Sequence, residues 1–299
     1  MLDLYPAAAL QITASTVAGV GGYALARRLP RAGLAAVAAA GLAAIGAYVA
    51  WGRDTGWWAQ VLPVSSAIVL HNPTPPLAAL LAGVIVGRRP AVTRRLVRRA
   101  SPTAARLERW RRLVLAAVLL AAGSYDVARV FAVTAPPVRT AAADDVVLQT
   151  HPSTCSPSAA ATLLNAHELG PFTEADLVGP CLTDGRGTPL LGLYRGLALA
   201  TGDTPLRPVA HDLTFDQLQR RPDLLPAVVS VRLTPELDRR DPRYRQRWGW
   251  LVGVTHSVVV FHARGGLVDV GDPGVGRELW TYDNLRDLWV GDVISLQPG

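Results

Sequence analysis

Cys155 lies in the run His151-Pro152-Ser153-Thr154-Cys155-Ser156-Pro157, a turn-forming stretch followed by apolar residues at helical spacing over 158–169 and stopped by Gly170-Pro171. The thiol therefore falls at a helix start, where unpaired backbone N–H groups and the positive end of the helix dipole favour a thiolate. Gln149, six residues earlier, stands where a side-chain amide can donate to an oxyanion, with the N–H of Cys155 as the second donor. His256 begins a Val-rich strand over 254–263, Gly265-Gly266 turns the chain tightly, and Asp272 follows the next strand at 267–270. Pairing across that turn brings the carboxylate within a few residues of the rung opposite the imidazole. A thiol at a helix start, a base on a strand and an acid on the neighbouring strand are the parts needed to activate a cysteine for acyl transfer.

The elements that must position these groups read as α+β. After the cysteine helix, Thr173-Glu174-Ala175-Asp176 forms a capping-box pattern that opens a second short helix, and Thr188-Pro189 opens a third running through Leu199 to Gly202. Strands dominate afterwards, at 227–233, 254–263, 267–270 and 293–296.

The first half of the chain has a different composition. Apolar stretches cover 7–26, 33–51, 57–86 and 113–133, each near or above the roughly 20 residues that cross a bilayer, so about four transmembrane helices are expected. His71-Asn72-Pro73 interrupts the third, which reads as a Pro-broken span. Ala35, Ala39, Ala43 and Ala47 recur every four residues in the second, a spacing expected to make a small-residue packing face. All 30 basic residues are Arg; 15 of them, against four acidic residues, lie in 1–133, while 134–299 holds 15 Arg against 19 acidic residues. The soluble half is mildly acidic, which argues against a nucleic-acid partner. Arg27, Arg28 and Arg31 follow the first span, and ten Arg between 88 and 112 separate the third from the fourth. With positive charge retained in the cytoplasm, both clusters lie inside, and everything after about 135 is expected on the outer face of a bacterial-type cell membrane. Residues 1–135 are thus read as the transmembrane region, 136–145 as a linker and 146–299 as the soluble domain.

Gln149-x5-Cys155-Ser-Pro-Ser-Ala-Ala-Ala-Thr-Leu-Leu, then Thr255-His256-Ser257-Val258-Val259-Val260, then Gly271-Asp272-Pro273 and Gly276, resemble in type and order cysteine peptidase family 39, a papain-like family typified by the double-glycine leader peptidase domains of bacteriocin-exporting ABC transporters. The resemblance covers about half the chain. It implies Cys155 as nucleophile, His256 as general base, Asp272 as orienting acid and Gln149 in the oxyanion hole, acting on a peptide or protein substrate without a cofactor. The chain departs from the pattern in having Thr154 and Ser156 where Asp and Gly are frequent. It also has no Gly-x4-Gly-Lys, so the transporter ATPase is expected to be lacking.

Other readings stay open on the residues alone. Cys181 could form a disulfide with Cys155, which would leave a catalytically silent peptide-binding module. A cell-wall peptide hydrolase or amidase would use the same Cys–His chemistry. The segment from Arg239 to Trp250 mixes cations and aromatics and reads as a solvated rim loop. No Cys or His pair has metal-ligand spacing, so no metal is expected.

Overall fold

The computed structural model describes residues 1–52, 56–88 and 102–299, and the chain divides into two compact units, one formed by Met1–Arg53 with Ile68–Ala132 and the other by Asp54–Ala67 with Val133–Gly299. Arg53, Arg89, Arg94, Arg95, Arg98 and Arg99, on which part of the charge reading rests, lie outside the described residues.

The first unit is helical: α1 is Tyr5–Arg28, α2 Arg31–Ala47, α3 Val64–Leu70, α4 Thr74–Gly87 and α5 Pro102–Phe131, with α3 straddling the division between the units. Three helical stretches are long and apolar enough to cross a membrane: α2 with its continuation to Gly52, the α3–α4 run Val64–Gly87, and Arg106–Phe131. The first of the four expected spans is the helix α1, which falls outside this set. Although α1 is 24 residues long, Gln11, Thr13, Ser15, Thr16 and its glycines dilute its apolar content. The third stretch begins at Val64 rather than 57, and Pro73, whose ring cannot continue the preceding helix, separates α3 from α4. Asn72 Oδ1 takes the freed Thr74 N–H at 2.9 Å, while Gln11 Nε2 donates to the Asn72 carbonyl at 2.7 Å.

The close helix seam is not the alanine ridge of α2, whose Ala35, Ala39, Ala43 and Ala47 are all exposed. Instead α1 meets α4 at backbone distance. A Cβ added to Gly22 would stand 2.1 Å from the Leu80 carbonyl oxygen, and one on Gly83 would stand 2.1 Å from that of Gly19. Ala79, Gly83 and Gly87 recur every four residues along α4, the small-residue spacing that lets helices approach closely in lipid.

The second unit is built on a six-stranded, wholly antiparallel sheet. A two-residue hairpin, β1 Ala142–Ala143 and β2 Val146–Val147, precedes it; its turn residues Asp144 and Asp145 both have positive φ. Helices α6 (Cys155–Ala166), α7 (Glu174–Val178, with the Thr173–Asp176 capping box) and α8 (Leu190–Ala200) follow. The sheet strands are β3 Leu206–Asp212, β4 Ala227–Arg232, β5 Thr255–Arg264, β6 Leu267–Asp272, β7 Gly276–Thr281 and β8 Trp289–Pro298, in the order β3-β8-β4-β5-β6-β7. Two of them, β3 and β7, are absent from the sequence reading, and they are the two edges. On one sheet face Val229, Val231, Val258, Val260 and Val293 pack with Phe215, Leu218, Trp250 and Trp280. Helix α6 packs on β4 and β5 through Ala159, Ala160, Leu163 and Leu164, all fully buried, with each leucine contributing roughly 1.5–3 kcal/mol of burial. The Val147 N–H donates to Thr162 Oγ1 at 2.9 Å and ties α6 to β2.

Candidate active site

Cys155 is the first residue of α6, and its cap is held from below. Thr154 is fully buried, its hydroxyl donates to the His151 carbonyl at 2.7 Å, and its own carbonyl accepts the Ser158 N–H at 3.2 Å. The thiol thus stands among the free N–H groups of a twelve-residue helix. His256 is the second residue of β5, opposite Val231 of β4. Asp272 closes β6, and the irregular register between Val260 and His262 lets it reach back to the imidazole. His256 Nε2 meets Asp272 Oδ1 at 2.7 Å. That bond places the Nε2 proton on the carboxylate side and leaves the other ring nitrogen for the hydrogen bond His256 makes with Cys155.

The carboxylate has no solvent exposure and is satisfied by donors. Oδ1 also accepts the Gly274 N–H at 2.8 Å, and Oδ2 accepts Trp250 Nε1–H at 3.1 Å. Burial works to raise the Asp272 pKa, but the His256 charge and hydrogen bond, with the Gly274 and Trp250 donors, hold it below the usual range. Burial would likewise depress His256, yet the charge of Asp272 and its hydrogen bond, with Cys155 on the other side, push its pKa up to about 10. Burial alone would raise the Cys155 thiol. The hydrogen bond and charge of His256 outweigh it, aided by the Ser257 backbone N–H and the Ser156 hydroxyl at 4.0 Å, and the net shift is downward. These directions describe a thiolate–imidazolium pair. Since the folded His256 value of about 10 lies above its ordinary 6.5, the imidazolium adds stability that is fully present below 6.5 and lost as pH rises through 10.

Gln149 joins the same turn by its backbone, its N–H donating to the Pro273 carbonyl at 2.8 Å. Its side-chain Nε2 donates to the His151 carbonyl at 3.3 Å, which fixes which end of the amide is nitrogen, and Oε1 is buried with no hydrogen-bond partner among the described residues. Cys155 and Cys181 are both free thiols. Cys181 is buried at the foot of α8, where its Sγ occupies the space a Cβ on Gly196 would need, and burial pushes its pKa up to about 12. No group of three or more metal-ligating side chains occurs among the described residues.

Trp250 is the residue that the sequence reading misplaces. The segment read as a solvated rim carries two short helices, α9 (Pro235–Arg240) and α10 (Arg243–Gln246), and four of its arginines are paired, Arg239 with Glu236, Arg243 with Asp241 and Arg245 with Asp238 locally and Arg240 with the distant Asp287. Tyr244 and Trp250 turn inward instead, at 3% and 5% exposure. The Trp250 ring lies 4.7 Å from that of His256 and is backed by Tyr244 at 5.5 Å and Trp280 at 5.8 Å. The Trp248-Gly249-Trp250 run just before the histidine strand was the available signal. Replacing Trp250 with Phe keeps a ring against the imidazole but leaves Asp272 Oδ2 without that donor. The expected cost is about 1–3 kcal/mol of stability, read as a lower melting temperature, together with a weaker His256–Asp272 couple.

A thiol at a helix start, joined through an imidazole to a buried carboxylate on an antiparallel α+β scaffold, is an arrangement able to activate a cysteine for acyl transfer. Among solved structures the chain is similar to the peptidase domain of Streptococcus ComA, a bi-functional ABC transporter involved in a quorum-sensing pathway, with 21% identity over 52% of this chain and 100% of that one and a TM-score of 0.40. It is also similar to a double glycine motif protease from an AMS/PCAT transporter in complex with the leader peptide, with 13% identity over 56% and 97% and a TM-score of 0.39. The peptidase domain of Streptococcus mutans ComA gives 18%, 52%, 99% and 0.34. No protein-family model and no curated protein matches the chain.

Proposed function

We propose that residues 146–299 form a cysteine peptidase domain carried on a membrane anchor formed by residues 1–135. The observation that carries this reading is the Cys155–His256–Asp272 relay, with a fully buried carboxylate receiving three N–H donors. The Cys155 thiolate attacks a peptide carbonyl, and the oxyanion accepts hydrogen bonds from the Cys155 N–H and the Gln149 amide. His256 gives its proton to the leaving amine, then takes one from the water that releases the acyl-enzyme, while Asp272 keeps the ring aligned. A peptide is the substrate class, and peptides in export are the proposed source.

The proposed side is the outer one. Two candidate crossings, Val64–Gly87 and Arg106–Phe131, follow the Trp57-Trp58 pair, an even number that returns the chain after 133 to the side of that pair. Arg27 and Arg28 end α1, Arg31 opens α2, and Arg106, Arg109, Arg111 and Arg112 open the Arg106–Phe131 stretch, positions where the charge rule expects the cytoplasm.

The test is alkylation of intact cells with a membrane-impermeant thiol reagent, with and without prior reduction, comparing wild type with His256→Ala. Expected is rapid labelling of Cys155 before reduction that persists at mildly acid pH and slows at least about 10-fold in the variant, because the half-buried thiol then lacks the imidazolium that holds it as thiolate. Labelling only after reduction would mean a Cys155–Cys181 bond and end the peptidase reading; labelling only in opened cells would place the domain inside.

A further inference from the structure

We propose that Ser156 and Ser257 act as a hydroxyl pair that sets the approach of the Cys155 thiol to the His256 imidazole. The proposal rests on reading those two residues as the reacting couple. Each serine is the next residue after one of them. Their hydroxyl oxygens lie 2.9 Å apart, joining positions 101 residues distant in sequence, and both side chains are buried, at 7% and 5% exposure.

The geometry of β5 shows why the couple needs such a contact. Side chains alternate along a strand, so His256 and Ser257 project from opposite faces. His256 shares its face with Val258 and Val260 and leans on Trp250, whereas Ser257 faces the first turn of α6. The thiol on α6 must therefore meet an imidazole rooted on the far side of the strand, around the strand's end. Whether it does so depends on how α6 sits on β5 at that point, and the serine pair is the contact there. The Ser257 N–H donates to the Cys155 sulfur from the same position. A hydroxyl pair imposes a distance and a direction that an apolar contact would not, and burial in a low-dielectric site strengthens it. Ser156 and Ser257 are positioning residues on this account; neither touches the reacting carbonyl.

The experiment compares wild type, Ser156→Ala, Ser257→Ala, the double variant, Ser257→Thr and His256→Ala in the full-length chain. It measures the rate of Cys155 alkylation by iodoacetamide across pH and, separately, thermal melting. Each alanine variant is expected to lose about 3- to 10-fold on the acid side of the profile and to move the apparent thiol pKa upward, the effect of one hydrogen bond. The double variant should be no slower than the slower single, since either change removes the same contact. Ser257→Thr, which keeps the hydroxyl, should stay within about twofold of wild type, well inside the effect of losing that bond. Altered melting with an unaltered acid limb would overturn the proposal, leaving the pair a structural bond only; additive losses in the double variant would overturn it as a pairwise device. If wild type and His256→Ala react alike, the peptidase reading falls and the pair with it. If only His256→Ala differs, the pair alone is refuted.

Discussion

Asp272→Asn is expected to lower peptide turnover by up to roughly 10⁴-fold, the loss that follows when the acid of a serine triad becomes its amide and the imidazole takes the wrong tautomer. The loss follows from hydrogen-bond sense, because the carboxylate accepts on both oxygens. Oδ1 takes His256 and Gly274, and Oδ2 takes Trp250 Nε1–H at 3.1 Å. An asparagine with its oxygen toward His256 and Gly274 would point its NH₂ at the indole N–H, two donors head-on in a site with no solvent. Turned the other way, the NH₂ would face the Gly274 N–H and would force His256 to carry its proton on the nitrogen that faces the thiol. Either orientation also removes the charge that raises His256 to about 10, so burial, which disfavours the imidazolium, prevails. Two measurements check this. Turnover of a peptide identified by profiling the wild type should collapse, and the acid limb of Cys155 alkylation should retreat toward the range of an ordinary or buried thiol. An Asp272→Asn protein that melts as the wild type does, with an unchanged alkylation profile, would mean that the carboxylate is not coupled to the thiol.

The three side chains that the structure brings together, Cys155, His256 and Asp272, were legible in the sequence because their signals are local. A cysteine after a Pro-rich turn, a histidine opening a valine strand and an aspartate two residues beyond the next strand can each be read within ten residues. What holds them is not local. Trp250 is 22 residues from the carboxylate it supports and Ser156 is 101 from its partner, so no window contains either pair. The two unread strands have a physical reason in common. At a sheet edge one side of the strand is unpaired and its polar residues remain wetted, so β3, with Arg207, Pro208 and His211, and β7, with Arg277 and Glu278, lack the apolar run that marks β4 or β5. In the helical unit, spacing identified the kind of seam but chose the wrong helix. Alanines four apart in α2 face outward, and α2 with its continuation to Gly52 buries Leu34, Gly41 and Tyr48, seven residues apart, while the backbone-close contact needs the glycines of α1 and α4.

Gly83→Val is expected to separate α1 from α4 and to destabilise the helical unit by more than the ~1–3 kcal/mol typical of overpacking. The added Cβ would stand 2.1 Å from the Gly19 carbonyl oxygen and 2.8 Å from the Tyr23 nitrogen, both backbone atoms that cannot rotate aside. Gly22→Val is expected to act in the same way from the other helix, its Cβ lying 2.1 Å from the Leu80 carbonyl oxygen. The control lies one residue away. Gly21 has no atom within 4 Å of an added Cβ, so Gly21→Val bears only the β-branched preference common to all three variants. Melting in detergent should therefore drop by many degrees for Gly22→Val and Gly83→Val and by little for Gly21→Val. Relieving either clash requires moving two backbones apart by about an ångström along the seam, which forfeits the close packing that the glycines allow. Equal melting of all three variants would mean that α1 and α4 do not meet at backbone distance and that another seam holds the helices.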